Sequence, residues 1–289
     1  MAIRTDLDCI PCLFAQAVRA ARIAGLEEGA ARELLVWLGG AIGELDPDRS
    51  PPENGVILYR RLAEVSGRDD PFGEVKRRHT EAALEALPAM RCLVESADDP
   101  LDAALRLASA GNRIDLGALA AVERPETLLG RALETPAPRW DRPALRHALA
   151  GAGSLLLVAD NAGEIVFDRV LLETLARLFP DLRFTVVVRG RPTINDATRE
   201  DALQAGLDAV ATILDTAVDV PGLVPGLLPP EVRAVFDEAD VVLAKGQGNF
   251  ETLAGCGREL FFLLQVKCRV VASHLGLPEG SSVLLREAP

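Results

Sequence analysis

The stretch Ser154 to Asp168, SLLLVADNAGEIVFD, decides the fold. Ser154 to Ala159 is a short apolar run that reads as a buried strand. Asp160 and Asn161 stand on the turn after it, Gly163 opens the way, and apolar residues then recur at helical spacing. A buried strand that ends in Asp-Asn sets two oxygen donors at the mouth of a crevice.

Working outward, Phe184 to Val188, Ala209 to Leu214, Val241 to Ala244 and Arg269 to Ser273 are further strand-like runs, and Val283 to Arg286 adds an edge strand. Helical segments lie between most of them. Strands that are apolar on both faces and alternate with helices predict a Rossmann-like α/β region, with a mostly parallel sheet and helices on both faces. Before residue 150 the periodicity is helical, over Cys12 to Ile23, Ala30 to Ile42, Gly55 to Val65, Pro71 to Leu87 and Asp98 to Ala110. Asp46 to Asn54 reads as a turn-rich loop, Leu223 to Pro230 as a Pro/Gly-rich one, and the proline-rich stretch Pro125 to Pro143 as a boundary. The expected division is a mainly helical region over 1–148 and an α/β domain over 149–289, with 96–148 packing on either.

The bulk numbers exclude several classes. At 289 residues the chain builds one large domain or two ordinary ones. A net charge of −12 opposes a nucleic-acid partner, which Lys and Arg would have to hold. It does not oppose one small phosphate in a locally basic pocket. No run has the length of a membrane span; Leu260 to Val266 is apolar but short. The N-terminal MAIRTDLDCIPC lacks the apolar core of a signal peptide, and five cysteines, an odd number, fit a reducing cytoplasm better than a disulfide framework.

Three polar clusters fall at the carboxyl ends of strands, where open α/β sheets bind ligands. They are Asp160-Asn161, Asn195-Asp196 and Lys245-Gly246. Each has a bland explanation. Asn161 and Glu164 have capping-box spacing, Asp196 suits a helix cap or turn, and Lys245 suits a surface. Their coincidence favours a site. Asp160, Asn161 and Asp196 offer two carboxylates and an amide oxygen, a hard donor set for a divalent cation. Only three histidines exist, His79, His147 and His274, too scattered for a zinc site of the His type. Lys245 would bring a point charge to a phosphate, and Gly246 and Gly248 would let backbone N–H groups approach it. Glu164, in the first turn of the following helix, would orient water or a substrate hydroxyl. Neither a dinucleotide fingerprint nor a Walker A motif is present.

DNAGE at Asp160 to Glu164, ND at Asn195-Asp196, KGQGNFE at Lys245 to Glu251 and GNRID at Gly111 to Asp115 together resemble the metal-dependent damage-control phosphatases, also called the acidic-residue-methyltransferase-like family. The resemblance runs from Cys9 to about Leu275. It implies a divalent ion (manganese, cobalt, nickel or magnesium) at Asp160, Asn161 and Asp196, and a phosphate contact at Lys245. It brings Asn112 and Asp115 to the same crevice, with Asn249 beside them. The implied reaction is hydrolysis of small phosphomonoesters, sugar phosphates or damaged phosphometabolites, by a metal-bound water, with Asp160 or Asp196 as base. Losing Lys245 is then expected to cut the rate by orders of magnitude without unfolding the chain.

Cys9-x-x-Cys12 and Lys267-Cys268 resemble the archaeal and bacterial branch. Cys9, Cys12 and Cys268 are readable as a second thiol cluster, a redox pair or packed thiols. Two rivals to the phosphatase stand beside it: an S-adenosylmethionine-dependent methyltransferase, and a non-enzymatic sensor of a metal or phosphometabolite.

Overall fold

The computed structural model describes residues 3–111 and 125–289. It opens with helices α1 (Cys9–Ile23), α2 (Glu28–Ala41), α3 (Pro51–Ser66), α4 (Gly73–Glu95), α5 (Pro100–Gly111) and α6 (Pro125–Glu134). Strand β1 (Arg139–Trp140) and helix α7 (Arg142–Ala150) lead into β2 (Ser154–Val158), α8 (Glu164–Leu178), β3 (Arg183–Val188), α9 (Arg199–Gln204) and β4 (Thr212–Asp215). The chain closes with α10 (Pro230–Glu238), β5 (Val241–Lys245), α11 (Gly246–Leu253), β6 (Leu260–Gln265), α12 (Arg269–Leu275) and β7 (Ser282–Glu287).

The sheet order is β1-β7-β6-β5-β2-β3-β4. All neighbours are parallel except β6 and β7, which run antiparallel. Winding runs outward from β2 through β3 to β4, then returns to β5 on the other side of β2. The ends of β2, β3 and β5 therefore meet at a topological switch point, where a crevice opens.

Helices cover both faces. On one face α4 (Ala83, Met90), α5 (Leu105) and α8 (Phe167, Leu171) share a core with Leu155, Leu157 and Val186. On the other, α10 (Phe236), α11 (Phe250) and α12 (Val271) pack against Leu156, Val242 and Phe262. Each such side chain taken fully out of water contributes roughly 1.5–3 kcal/mol. A third cluster, Leu13, Leu34, Leu38, Leu58 and Leu62, binds α1 to α3 together. Where α5 ends on α8 the backbones come close: a Cβ on Gly111 would sit 3.0 Å from the Phe167 ring. No described helix is long and apolar enough to cross a membrane.

Four expectations need correction. Arg269 to Ser273 is helix α12, not a strand. Its Val-Val pair imitates a strand, but only Val271 is buried and Gly276 closes the segment in the left-handed region. Leu260 to Gln265 is the strand in that part of the chain, and all six residues are buried. A run apolar at every position carries no period to reveal it. Val283 to Arg286 lies inside the sheet between β1 and β6, while β1 and β4 form the edges. The 46–54 loop ends early, because Ser50 and Glu53 form a reciprocal capping box and α3 starts at Pro51. In the run from Ala209 to Leu214, strand pairing begins only at Thr212.

Candidate metal and phosphate site

The ends of β2 and β3 are stitched together. Ala197 N–H donates to the Asp160 carbonyl at 2.8 Å, Ala162 N–H donates to the Asn195 carbonyl at 2.8 Å, and Asn161 and Asp196 form an isolated antiparallel bridge. These backbone bonds bring Asp160, Asn161 and Asp196 side by side from two separate turns. Ile194 holds the second turn at a positive φ of 44°, a conformation a β-branched residue rarely adopts, and packs against the α1–α3 cluster.

The helix-cap and surface explanations of these residues fail, while Asp196 does close a turn through its N–H to the Thr193 carbonyl at 3.1 Å. Helix α8 is capped by Gly163 rather than Asn161, and α9 by Thr198 with Asp201 rather than by Asp196. Lys245 is fully buried. Asn161 Nδ2 donates to Asp160 Oδ2 at 2.8 Å and to Glu164 Oε2 at 2.9 Å. Its amide oxygen has no hydrogen-bond partner among the described residues. Asp196 Oδ2 accepts from Arg189 Nε at 2.7 Å. The same guanidinium reaches Asn249 Oδ1 at 2.8 Å and the Ala159 carbonyl at 3.2 Å.

The electrostatics favour a cation. Burial, then the charges of Glu164 and Asp196, push the Asp160 carboxyl up to about 8. Burial also raises Asp196, against the opposing pull of Arg189 and the Gly222 N–H. Gly246 lets the chain pass this cluster. It sits at φ 79°, and a Cβ there would fall 1.9 Å from Asp160 Oδ2.

Lys245 occupies a different position from the one expected of a phosphate contact. Its Nζ donates to Asp168 Oδ1 at 2.5 Å, to Glu164 Oε1 at 2.8 Å and to the Ala108 carbonyl at 3.1 Å. Burial would lower its pKa, but Asp168 and Glu164 outweigh that and hold the ammonium above the ordinary lysine value. Glu164 is equally buried and faces Lys245 and Asn161. Asn249 is a brace: its Nδ2 donates to the Lys245 carbonyl at 2.7 Å and the Ala159 carbonyl at 3.0 Å. Asn112 and Asp115 lie outside the described residues.

A cavity of about 790 Å³ opens above the cluster. Asp160, Asn161, Asn195, Asp196, Gly248 and Glu251 line its floor, and α1 and α3 face them with Leu13, Gln16, Asn54 and Tyr59. The volume is that of a small-molecule site. Cys9, Cys12 and Cys268 reach the same cavity. Gln247 Nε2 contacts Cys268 Sγ at 3.4 Å and Glu251 Oε1 at 2.8 Å. Burial pushes the Cys9 thiol up to about 11 and raises Cys268 as well, which disfavours thiolates. Among the described residues no three His, Cys, Asp or Glu side chains are grouped to hold a metal ion. The Asp160, Asn161 and Asp196 set has only two carboxylates. Its fit to a divalent ion rests on the amide oxygen, without a partner among the described residues, beside two buried acids of which Asp196 raises Asp160.

Sequence reasoning gave no role to Arg189, Gln247, Glu251 or Lys267. Arg189 carried a signal, a charged residue ending the apolar run FTVVV. Glu251 and Gln247 stood within KGQGNFE, and nothing in that motif showed that they face a cavity.

The chain is similar to known proteins over nearly its whole length. Residues 5–283 match the model of the damage-control phosphatase ARMT1-like domain. A damage-control phosphatase of Archaeoglobus fulgidus is 36% identical over 231 residues, covering 78% of this chain and 79% of that protein. A damage-control phosphatase of Pyrococcus horikoshii is 29% identical over 286 residues, 98% of each chain. The crystal structure of a DUF89 family protein from Pyrococcus horikoshii superposes with a TM-score of 0.89 at 29% identity, over 98% of this chain and 99% of the other.

Proposed function

The chain belongs to the ARMT1-like damage-control phosphatase family, and on that premise we propose that it hydrolyses small phosphomonoesters in the cavity above Asp160, with a divalent cation bound there. The observation that carries this reading is the joining of Asp160, Asn161 and Asp196 from two strand ends on one cavity floor. Sugar phosphates and damaged phosphometabolites have the size and charge such a cavity accepts.

Asp160, Asp196 and the Asn161 amide oxygen would hold the ion. When bound it supplies charge to polarise a phosphoryl oxygen and to acidify water. The chain does the rest. Arg189 and the Gly222 N–H fix the Asp196 carboxylate in place. Asn161, tied to Asp160 and Glu164, turns its oxygen away from both acids. Asp160 or Asp196 would take the proton of the attacking water. Gly248 and Gly222 keep the wall beside them bare of side chains, so that a phosphate can approach the backbone. Walls from α1 and α3 exclude bulk water and select the organic part of the ester.

The test is phosphate release from p-nitrophenyl phosphate and a panel of sugar phosphates. It is run after chelation and after restoring magnesium, manganese, cobalt or nickel, beside Asp160→Ala. Release that requires an ion and disappears in the variant supports the proposal. Folded protein that binds the ion yet releases nothing defeats it.

A further inference from the structure

We infer that Lys267, on the turn between β6 and α12, is the cation that meets the phosphoryl group in this cavity. The inference rests on the phosphatase reading and assigns to another residue the role that sequence spacing gave Lys245.

Lys245 is committed elsewhere. Its ammonium is fully buried, holds three partners and is absent from the cavity wall. Among the described residues three other cationic side chains line that wall: Arg19, Lys267 and Arg269. Arg269 is bound to Asp8, with its Nε 2.8 Å from Asp8 Oδ2. Arg19 stands on α1 and already has an interaction partner. Lys267 is exposed, and its ammonium has neither a hydrogen bond nor an ion pair among the described residues.

The backbone beneath Lys267 is nevertheless fixed. Its N–H donates to Gln247 Oε1 at 2.8 Å. The preceding Val266 is held on both sides, donating to the Ser281 carbonyl at 3.0 Å and accepting from Gly280 at 2.7 Å. Gln247 belongs to α11, the helix that begins beside Asp160, so the turn carrying Lys267 is registered against the floor of the site. Its positive charge acts on both Asp160 and Glu251 on the cavity floor. An ammonium on a four-carbon stem in the cavity wall, its backbone held by hydrogen bonds, is suited to a phosphate dianion. It donates hydrogen bonds to non-bridging oxygens, transfers no proton and offsets their charge as the ester bond breaks.

Calorimetric titration with inorganic phosphate, in buffer containing manganese chloride, tests this directly on the wild type, Lys267→Gln and Lys267→Arg. The glutamine variant is expected to bind phosphate roughly tenfold to a hundredfold more weakly. It should also lower kcat/KM for p-nitrophenyl phosphate at least as much, with an unchanged melting temperature. The arginine variant should regain most of the affinity. A glutamine variant that binds phosphate like the wild type overturns the inference, as does a wild type that binds no phosphate at millimolar concentration. If the wild type binds phosphate but hydrolyses no ester, the phosphatase reading fails, while the affinity ratio still decides the part of Lys267.

Discussion

The ammonium of Lys245 lies 2.5 Å from the Asp168 carboxylate and 2.8 Å from that of Glu164, all three side chains being buried beneath the floor of the cavity. One cation holds two acids in the interior, and one Asp168 oxygen has no partner among the described residues. Taking the cation away leaves Asp168 without its ion pair and removes one from Glu164.

Lys245→Met is therefore expected to destabilise the fold by about 3–5 kcal/mol, the usual cost of breaking a buried pair. This contrasts with the stable but inactive variant that the sequence alone suggests. Urea denaturation measures it. A triple variant with Glu164→Gln and Asp168→Asn should recover part of the loss; no recovery would show that the lysine does not act through these acids.

Gly246→Ala should abolish phosphate release and lower stability together. The new methyl would overlap the Asp160 carboxylate, and φ 79° disfavours alanine by roughly 1 kcal/mol before any clash. Gly248→Ala is the control for stability alone, since its Cβ would meet nothing nearer than 3.9 Å. Equal behaviour of the two in thermal denaturation would refute the crowding argument.

Asp196→Ala and Asp196→Asn should differ. The alanine variant strands the buried Arg189 guanidinium, whose Nη1 is already without a partner among the described residues. Asparagine keeps an acceptor for Nε. Both should lose activity and manganese affinity, but only the alanine form should lose several kcal/mol in urea. Similar stabilities would mean that Arg189 does not depend on this acid.

Glu251 gives a pH signature. Burial pushes it up to about 7 from an ordinary 4.5, with Gln247 and Lys267 pulling the other way. Between those values the unfolded chain releases the proton first, so stability falls as pH rises through the window. Glu251→Gln removes that fall. Relative to the wild type, it should gain stability between about pH 5 and about pH 8. Urea midpoints at both ends check this, and a constant difference would exclude the carboxylate as the cause.

How far the sequence reveals this arrangement depends on the range of the contacts involved. The turn at Asp160-Asn161 is legible because strand, turn and helix are consecutive and each has its own period. The joining of that turn to Asn195-Asp196 follows from the rule for strand ends in α/β sheets. Strand β6 is hidden because all six of its residues are buried. Lys245 and Lys267 are the clearest case. Both follow apolar runs, yet one points between α5 and α8 and the other lines the cavity. Only the packing of helices distant in sequence separates them.

The cavity joins two stretches of chain with different duties. Its floor comes from the ends of β2 and β3 and the start of α11, where a shifted carboxylate would end the reaction. Its opposite wall comes from α1 and α3, which have their own apolar cluster and are tied across by Arg60 to Asp219 and Arg269 to Asp8. The protein is in this respect like a lock whose wards can be recut without touching the bolt. The molecules admitted can change by exchange of side chains on α1 and α3, while the machinery that cuts them stays as it is.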